Sequence, residues 1–239
     1  EHIIGMVANR KIEEVKEQIS SHLLCEPDEI FFMSGATEAN NTAIYSLCAL
    51  SRLQSKKQVV ISAIEHKCVI EAAKHWTSVF GLDLKILRVD KEGFIDQQQL
   101  RDFLKTPTLF CSIIAANNEI GTIQKLDKIS ELLIEAGVIF HSDSAQAAKT
   151  DLPYDICDHV DVASFSGHKI GGPQGIGCLY IAAHLQSDFR PLILGGGQQN
   201  GIRSGTLPLP LCVGLGQAFK DLSSLDFVAI KRVRDTLFR

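Results

Sequence analysis

Nothing in this 239-residue chain approaches the ~18 uninterrupted apolar residues of a helical membrane span, so no membrane role is expected. An excess of one charge is lacking too. A net charge of −4 gives nucleic acid or an anionic membrane surface nothing to hold. The seven cysteines, Cys25, Cys48, Cys68, Cys111, Cys157, Cys178 and Cys212, never fall closer than twenty positions apart. That leaves no CxxC pair, no Cys-His metal cluster and no disulfide scaffold, and no metal site is expected. Several of them lie in apolar stretches where a buried reduced thiol is the default, which points to a reducing compartment, the cytoplasm. The opening Glu1-His2-Ile3-Ile4-Gly5 carries none of the marks of a signal peptide. Internal repeats, low-complexity tracts and the Walker pattern GxxxxGK[ST] are missing as well.

What remains is ordinary globular material, 45% hydrophobic and 22% charged, long enough for one large domain with part of a second. Apolar positions at helical spacing (Ile12, Val15, Ile19, Leu23) predict a helix over 11–24, stopped by Pro27. Strands are expected at Glu29–Ser34, Gln58–Ala63, Asp83–Val89, Thr108–Ala115, Val138–Ser142, Val160–Phe165 and Gly177–Ile181. Between them fall helices at Ala39–Ser51, Cys68–Val79, from Asp96 onward, and Lys125–Ala136. This alternation is the signature of an α/β fold with a mostly parallel central sheet flanked by helices. The glycine- and proline-rich stretch Leu192–Pro210 reads as a long functional loop, and Asp221–Arg239 as a last helix.

In parallel sheets ligands collect beyond the carboxyl ends of the strands, and the chemistry-bearing residues of this chain fall there. Ser164-Phe165-Ser166-Gly167-His168-Lys169 puts a lysine, flanked by hydroxyls and a histidine, between an apolar run and a glycine-rich turn; Asp143 ends an earlier apolar run. An amine and a carboxylate at neighbouring strand ends suit pyridoxal phosphate (PLP): the amine forms the Schiff base, and the carboxylate keeps the pyridine nitrogen protonated. Gly35-Ala36-Thr37-Glu38 offers a close turn and helix N–H groups to a phosphate, or is simply an N-cap. His66 fits a residue covering a ring and moving protons, or a surface histidine. Asn117-Asn118 contacts a ring oxygen or makes an Asn-rich turn. Asp143 is a pyridinium partner or a helix cap, and Gln146 follows it. Arg203-Ser204-Gly205-Thr206 supplies a hydroxyl to the phosphate or makes a turn.

Taken in order, these motifs resemble the NifS/IscS-type cysteine desulfurases, within the class V aminotransferase group of PLP enzymes of fold type I. The resemblance rests on Ser34-Gly35-Ala36-Thr37-Glu38-Ala39-Asn40-Asn41, Glu65-His66-Lys67, Asn117-Asn118-Glu119-Ile120-Gly121, Asp143-Ser144-Ala145-Gln146, Ser164 to Lys169, and Gly195-Gly196-Gly197 through Thr206. It implies a PLP-binding large domain over 1–220, with 221–239 starting the helix that leads to a small domain largely absent from this chain. It implies Lys169 as Schiff-base and proton-transfer residue, and Asp143 at the pyridine nitrogen. His66 would stack on the ring and act in acid–base steps, with Asn118 and Gln146 on its hydroxyl side. Ala36, Thr37, Ser166 and His168 would hold the phosphate. Thr206 would reach the phosphate of the neighbouring subunit of a homodimer. The implied reaction turns L-cysteine into L-alanine, leaving sulfur as an enzyme persulfide for iron–sulfur cluster or thiolation pathways, handed to an acceptor or scaffold protein.

Two family features have no counterpart: the opening strand with Asn-Ala-Thr-Thr-Pro, and the downstream persulfide cysteine and carboxylate-binding arginine, expected beyond Arg239. None of the seven cysteines stands in a matching context. Selenocysteine lyase, another class V lyase or aminotransferase, and an inactive PLP-binding short form are the alternatives.

Overall fold

The computed structural model describes residues 3–52, 55–149, 155–222 and 224–237. Seven strands form one sheet: β1 Ile30–Met33, β2 Gln58–Ser62, β3 Asp83–Leu87, β4 Thr108–Ser112, β5 Ile139–Asp143, β6 Val162–Ser166 and β7 Gly177–Ile181. The helices are α1 Ile3–Leu23, α2 Ala36–Ala49, α3 Lys67–Phe80, α4 Gln97–Leu104, α5 Leu126–Glu135, α6 Ile156–His159, α7 Ala183–Gln186, α8 Leu209–Leu222 and α9 Phe227–Leu237. Among the described residues no helix is long and apolar enough to cross a membrane.

The strand order is β1-β7-β6-β5-β4-β2-β3. β7 runs antiparallel to both its neighbours, and every other pairing is parallel. β1 therefore points the same way as β2, β4, β5 and β6, and their carboxyl ends share one edge. Buried strand side chains alternate between two cores. Phe32, Val60, Cys111, Phe140 and Phe165 pack with α1, α5 and α8 on one face. Phe31, Val59, Ile61, Leu109 and Leu179 pack with α2 and α3 on the other. A sheet covered on both faces explains why its strands, except the edge strand β3, are buried along nearly their whole length.

The expected strands and most expected helices are present within a few residues. α1 starts at Ile3, well before the first buried apolar residue, Ile12, because its first turns are solvent-exposed. α2 starts at Ala36 with Gly35 as its N-cap, so Thr37 lies inside the first turn and is not the capping residue. α8 is not among the expected helices: it overlaps the expected loop only at Leu209 and Pro210 and runs on through residues with no expected element. Its glycines hid it, and they are there for close packing. A Cβ on Gly216 would lie 2.9 Å from Val15 Cγ1 of α1, and one on Gly214 would lie 2.5 Å from Pro173 Cγ. The single helix expected over Asp221–Arg239 is interrupted, and α9 starts afresh after Asp226, whose carboxylate accepts from Ala229 N at 2.9 Å. Residues 223, 238 and 239 of that expected helix, like Glu1 and His2, lie outside the described residues.

Candidate active site

A cavity of about 500 Å³ opens at the carboxyl edge of the sheet. Ser34 to Glu38 enter it from the β1–α2 turn, His66 and Cys68 from the start of α3, Ile114 and Asn118 from beyond β4, Asp143, Ala145 and Gln146 from the end of β5, and Ser166, His168 and Lys169 from the end of β6. Ala36, Thr37, His66, Asn118, Asp143, Gln146, Ser166, His168 and Lys169 thus line one cavity. Thr206 does not: it is exposed and outside the cavity of its own chain.

At one end, β7 brings the β1 turn and the β6 loop together. Gly177 approaches so closely that a Cβ there would lie 2.4 Å from Phe165 O and 2.8 Å from Gly35 Cα. Gly35 itself adopts φ 154° and ψ 179°, a region essentially reserved for glycine. No side chain caps α2, which leaves its first-turn N–H groups open to an anion. Ser166 Oγ and His168 Nδ1 lie 3.0 Å apart alongside, with the Thr37 hydroxyl on the same cavity.

At the other end lies Asp143, 4% exposed. Its Oδ2 accepts from the fully buried Asn40 Nδ2 at 2.8 Å, and its Oδ1 from Ala145 N at 3.0 Å. Burial, the largest influence, raises its pKa against these bonds and the nearby His66. No lysine or arginine of the described residues pairs with this carboxylate. Beside it Glu65 is buried; its Oε1 takes Ser62 Oγ at 2.5 Å and Ile114 N at 2.6 Å, while its Oε2 has no partner among the described residues. Burial first, and then Asp143 close by, push the Glu65 carboxyl up to about 8, so it stands as a neutral acid at pH 7.

His66 is the N-cap of α3, its Nδ1 accepting from Cys68 N at 3.2 Å and lying 3.0 Å from Cys68 Sγ. Cys68 Sγ also faces Asn40 Nδ2 at 3.3 Å. Burial raises the Cys68 thiol above its ordinary range, which makes it a poor nucleophile. Lys169 and His168 are exposed on the cavity, and Lys169 Nζ has no hydrogen-bond partner among the described residues.

Sequence reasoning did not single out Asn40, Glu65 or Cys68 individually, although all three sit in or beside the quoted motifs. It also did not foresee that Arg203, from the long glycine-rich loop, pairs with Glu38 at the head of α2, Nε to Oε1 at 2.8 Å. Spacing alone carries no signal for such pairs, because their partners lie far apart in the chain.

The residues present fit PLP on their own chemistry. A buried carboxylate without a cationic partner, a free amine, and an uncapped helix start beside three side-chain donors match its ring nitrogen, aldehyde carbon and phosphate.

Comparison with known proteins gives a consistent picture. The family model "Aminotransferase class-V" matches residues 1–238. The cysteine desulfurase IscS of Rickettsia bellii (strain OSU 85-389) is 43% identical over 219 residues, covering 91% of this chain and 52% of the relative. The mitochondrial cysteine desulfurase of Eremothecium gossypii is 36% identical across 100% of this chain and 49% of the relative. A solved structure of SspA in complex with cysteine superposes with a TM-score of 0.84 at 40% identity, covering 92% of this chain and 63% of that one. The chain spans about half the length of the curated relatives it matches.

Proposed function

The chain belongs to the class V aminotransferase family, and from that premise we propose that it is the cofactor-binding part of a cysteine desulfurase that uses pyridoxal phosphate. The observation that carries this reading is the convergence of Lys169 and the buried Asp143 on one cavity whose far end is the uncapped start of α2. The cysteine desulfurase names borne by relatives at 36–43% identity support the choice of reaction.

Lys169 would anchor the cofactor and then take and return the proton at the substrate α-carbon. Asp143, oriented by Asn40 and Ala145, would hold the proton at the ring nitrogen. When bound, the cofactor supplies an electron sink for charge developing next to the α-carbon. His66 would cover the ring and serve as second proton carrier, a task suited to imidazole. Asn118 and Gln146 would meet the ring hydroxyl. Ala36 N–H, Thr37, Ser166 and His168 would hold the phosphate, with the exposed Thr206 contributed to the neighbouring site of a homodimer.

The net change is cleavage of the cysteine C–S bond, with sulfur passed to a thiol and alanine left behind; a sulfur-acceptor or scaffold protein would receive it for iron–sulfur cluster or thiolation pathways. No cysteine of this chain is given the receiving role. Seven free thiols support a reducing compartment, and we place the protein in the cytoplasm.

The test is alanine formation from L-cysteine by the full-length protein, with sulfide released when excess dithiol is added to reduce the persulfide. Lys169→Ala abolishes turnover on this reading, and full turnover in that variant overturns it. Equal or faster alanine formation from selenocysteine would reassign the substrate.

A further inference from the structure

We propose that in the absence of cofactor His66, Cys68 and Asp143 form a three-ligand site for one zinc-type divalent cation, and that this ion blocks cofactor uptake. The blocking half rests on the cofactor reading above; the binding half does not.

The three side chains come from two strand ends, and one ligand atom of each lies within 4.8 Å of the others. Ligand atoms of a tetrahedral zinc ion sit roughly 3.3–3.7 Å apart, given metal–ligand distances of about 2.0–2.3 Å. Small side-chain rotations of the exposed His66 and the half-buried Cys68 bridge the difference, while Asp143 is already held by Asn40 and Ala145. Imidazole, thiolate and carboxylate together select zinc or cobalt over magnesium or calcium, which prefer all-oxygen shells.

The surroundings favour an ion as well. Asn40, fully buried, spans two of the ligands with Nδ2, and its Oδ1 is buried without a partner among the described residues. A half-turn of that amide gives up its bond to Asp143, which Ala145 N and the ion itself then hold, and offers the ion a fourth, oxygen ligand. The chemistry balances without a redox partner. A metal–sulfur bond forms as the Cys68 thiol proton leaves to solvent, and the ion replaces that proton's charge. The same Asp143 oxygens cannot serve a ring nitrogen and a metal at once, so the two occupants exclude each other.

The test uses the full-length protein stripped of cofactor and titrated with cobalt chloride. One cobalt per chain, a thiolate-to-cobalt charge-transfer band and release of a proton are expected. In Cys68→Ser the band disappears and affinity falls about tenfold or more. Asp143→Asn, which keeps the thiol and the shape, retains the band at lowered affinity and guards against misfolding of the first variant. Absence of the band in the unsubstituted protein, or an unchanged band in Cys68→Ser, overturns the proposal. Zinc loaded beforehand slows the growth of the cofactor absorbance band, and chelator restores it; uptake unaffected by zinc refutes the blocking role. A protein that never develops a cofactor band, even free of metal, refutes the cofactor reading while leaving the cobalt result to stand.

Discussion

Arg203 reaches across 165 positions of sequence to grip Glu38 at both carboxylate oxygens, Nε to Oε1 at 2.8 Å and Nη2 to Oε2 at 3.3 Å. Glu38 Oε2 also accepts from Ser34 N at 2.6 Å. The pair therefore ties the glycine-rich loop to the turn that opens α2. Burial alone would raise the Glu38 pKa, but the bonds from Arg203 and Ser34 outweigh it and leave the carboxyl below its ordinary value.

Arg203→Ala is expected to destabilise the protein by about 1–2 kcal/mol at neutral pH, between the values for surface and fully buried pairs. A carboxylate with a lowered folded pKa contributes stability above its unfolded value, near 4.5, and loses it as pH falls through the folded value. The difference between variant and parent should accordingly shrink below pH 4.5. Urea unfolding at pH 7 and at pH 3.5 checks both points.

Asn40→Ala removes the only side-chain amide on Asp143 among the described residues and empties a fully buried position. A stability loss of about 1–3 kcal/mol is expected, together with weaker retention of cofactor, since Asp143 then rises further toward its neutral form. Denaturation of the stripped protein separates the first effect from the second, which equilibrium dialysis of PLP measures.

Glu65 gives the opposite pH dependence from Glu38. Its folded pKa, about 8, exceeds the ordinary 4.5, so its stabilising share is complete below 4.5 and drains away as pH rises toward 8. For one proton the slope is at most about 1.4 kcal/mol per pH unit. Glu65→Gln keeps the acceptor for Ser62 and Ile114 and cannot ionise. Stability measured from pH 5 to pH 9 should fall less steeply in this variant than in its parent.

Gly177→Ala pushes a methyl against Phe165 O and Gly35 Cα. Both obstacles are backbone, which cannot rotate away, and a loss of about 2 kcal/mol or more is expected. Cofactor retention should fall with it, because the displaced Gly35 heads the proposed phosphate turn. Thermal melts with and without added PLP measure the two.

The legibility of this chain follows the range of each interaction. Strands were readable because both sheet faces are covered, which makes Phe31–Met33 or Leu109–Cys111 uniformly apolar. Nine of the ten residues expected to bind cofactor line one cavity, because their motifs follow strands that end on one edge. The helix α8 was not readable. Gly214 and Gly216 weaken its local signal, and their purpose lies in Pro173 and Val15, distant in sequence. The bonds from Asn40 to Asp143 and from Arg203 to Glu38 were invisible for the same reason. Cys68 looked like any other dispersed thiol until α3 set it 3.0 Å from its own capping histidine.

The single reversed strand also sets a timetable. β1 leaves the ribosome before the other six strands of this sheet, but its sheet partner is β7, with Ile30 opposite Tyr180. Until that late segment is made, the Gly35 turn has no neighbour to lean on, and its apolar residues Ile30 to Met33 wait unpaired. The pocket is consequently assembled near the end of translation of this region, by closure of a long-range contact, the slow kind in folding. A nascent chain stopped before Gly177 would carry the pocket's lysine and aspartate, while the turn at Gly35, the proposed phosphate seat, still lacked the strand that backs it.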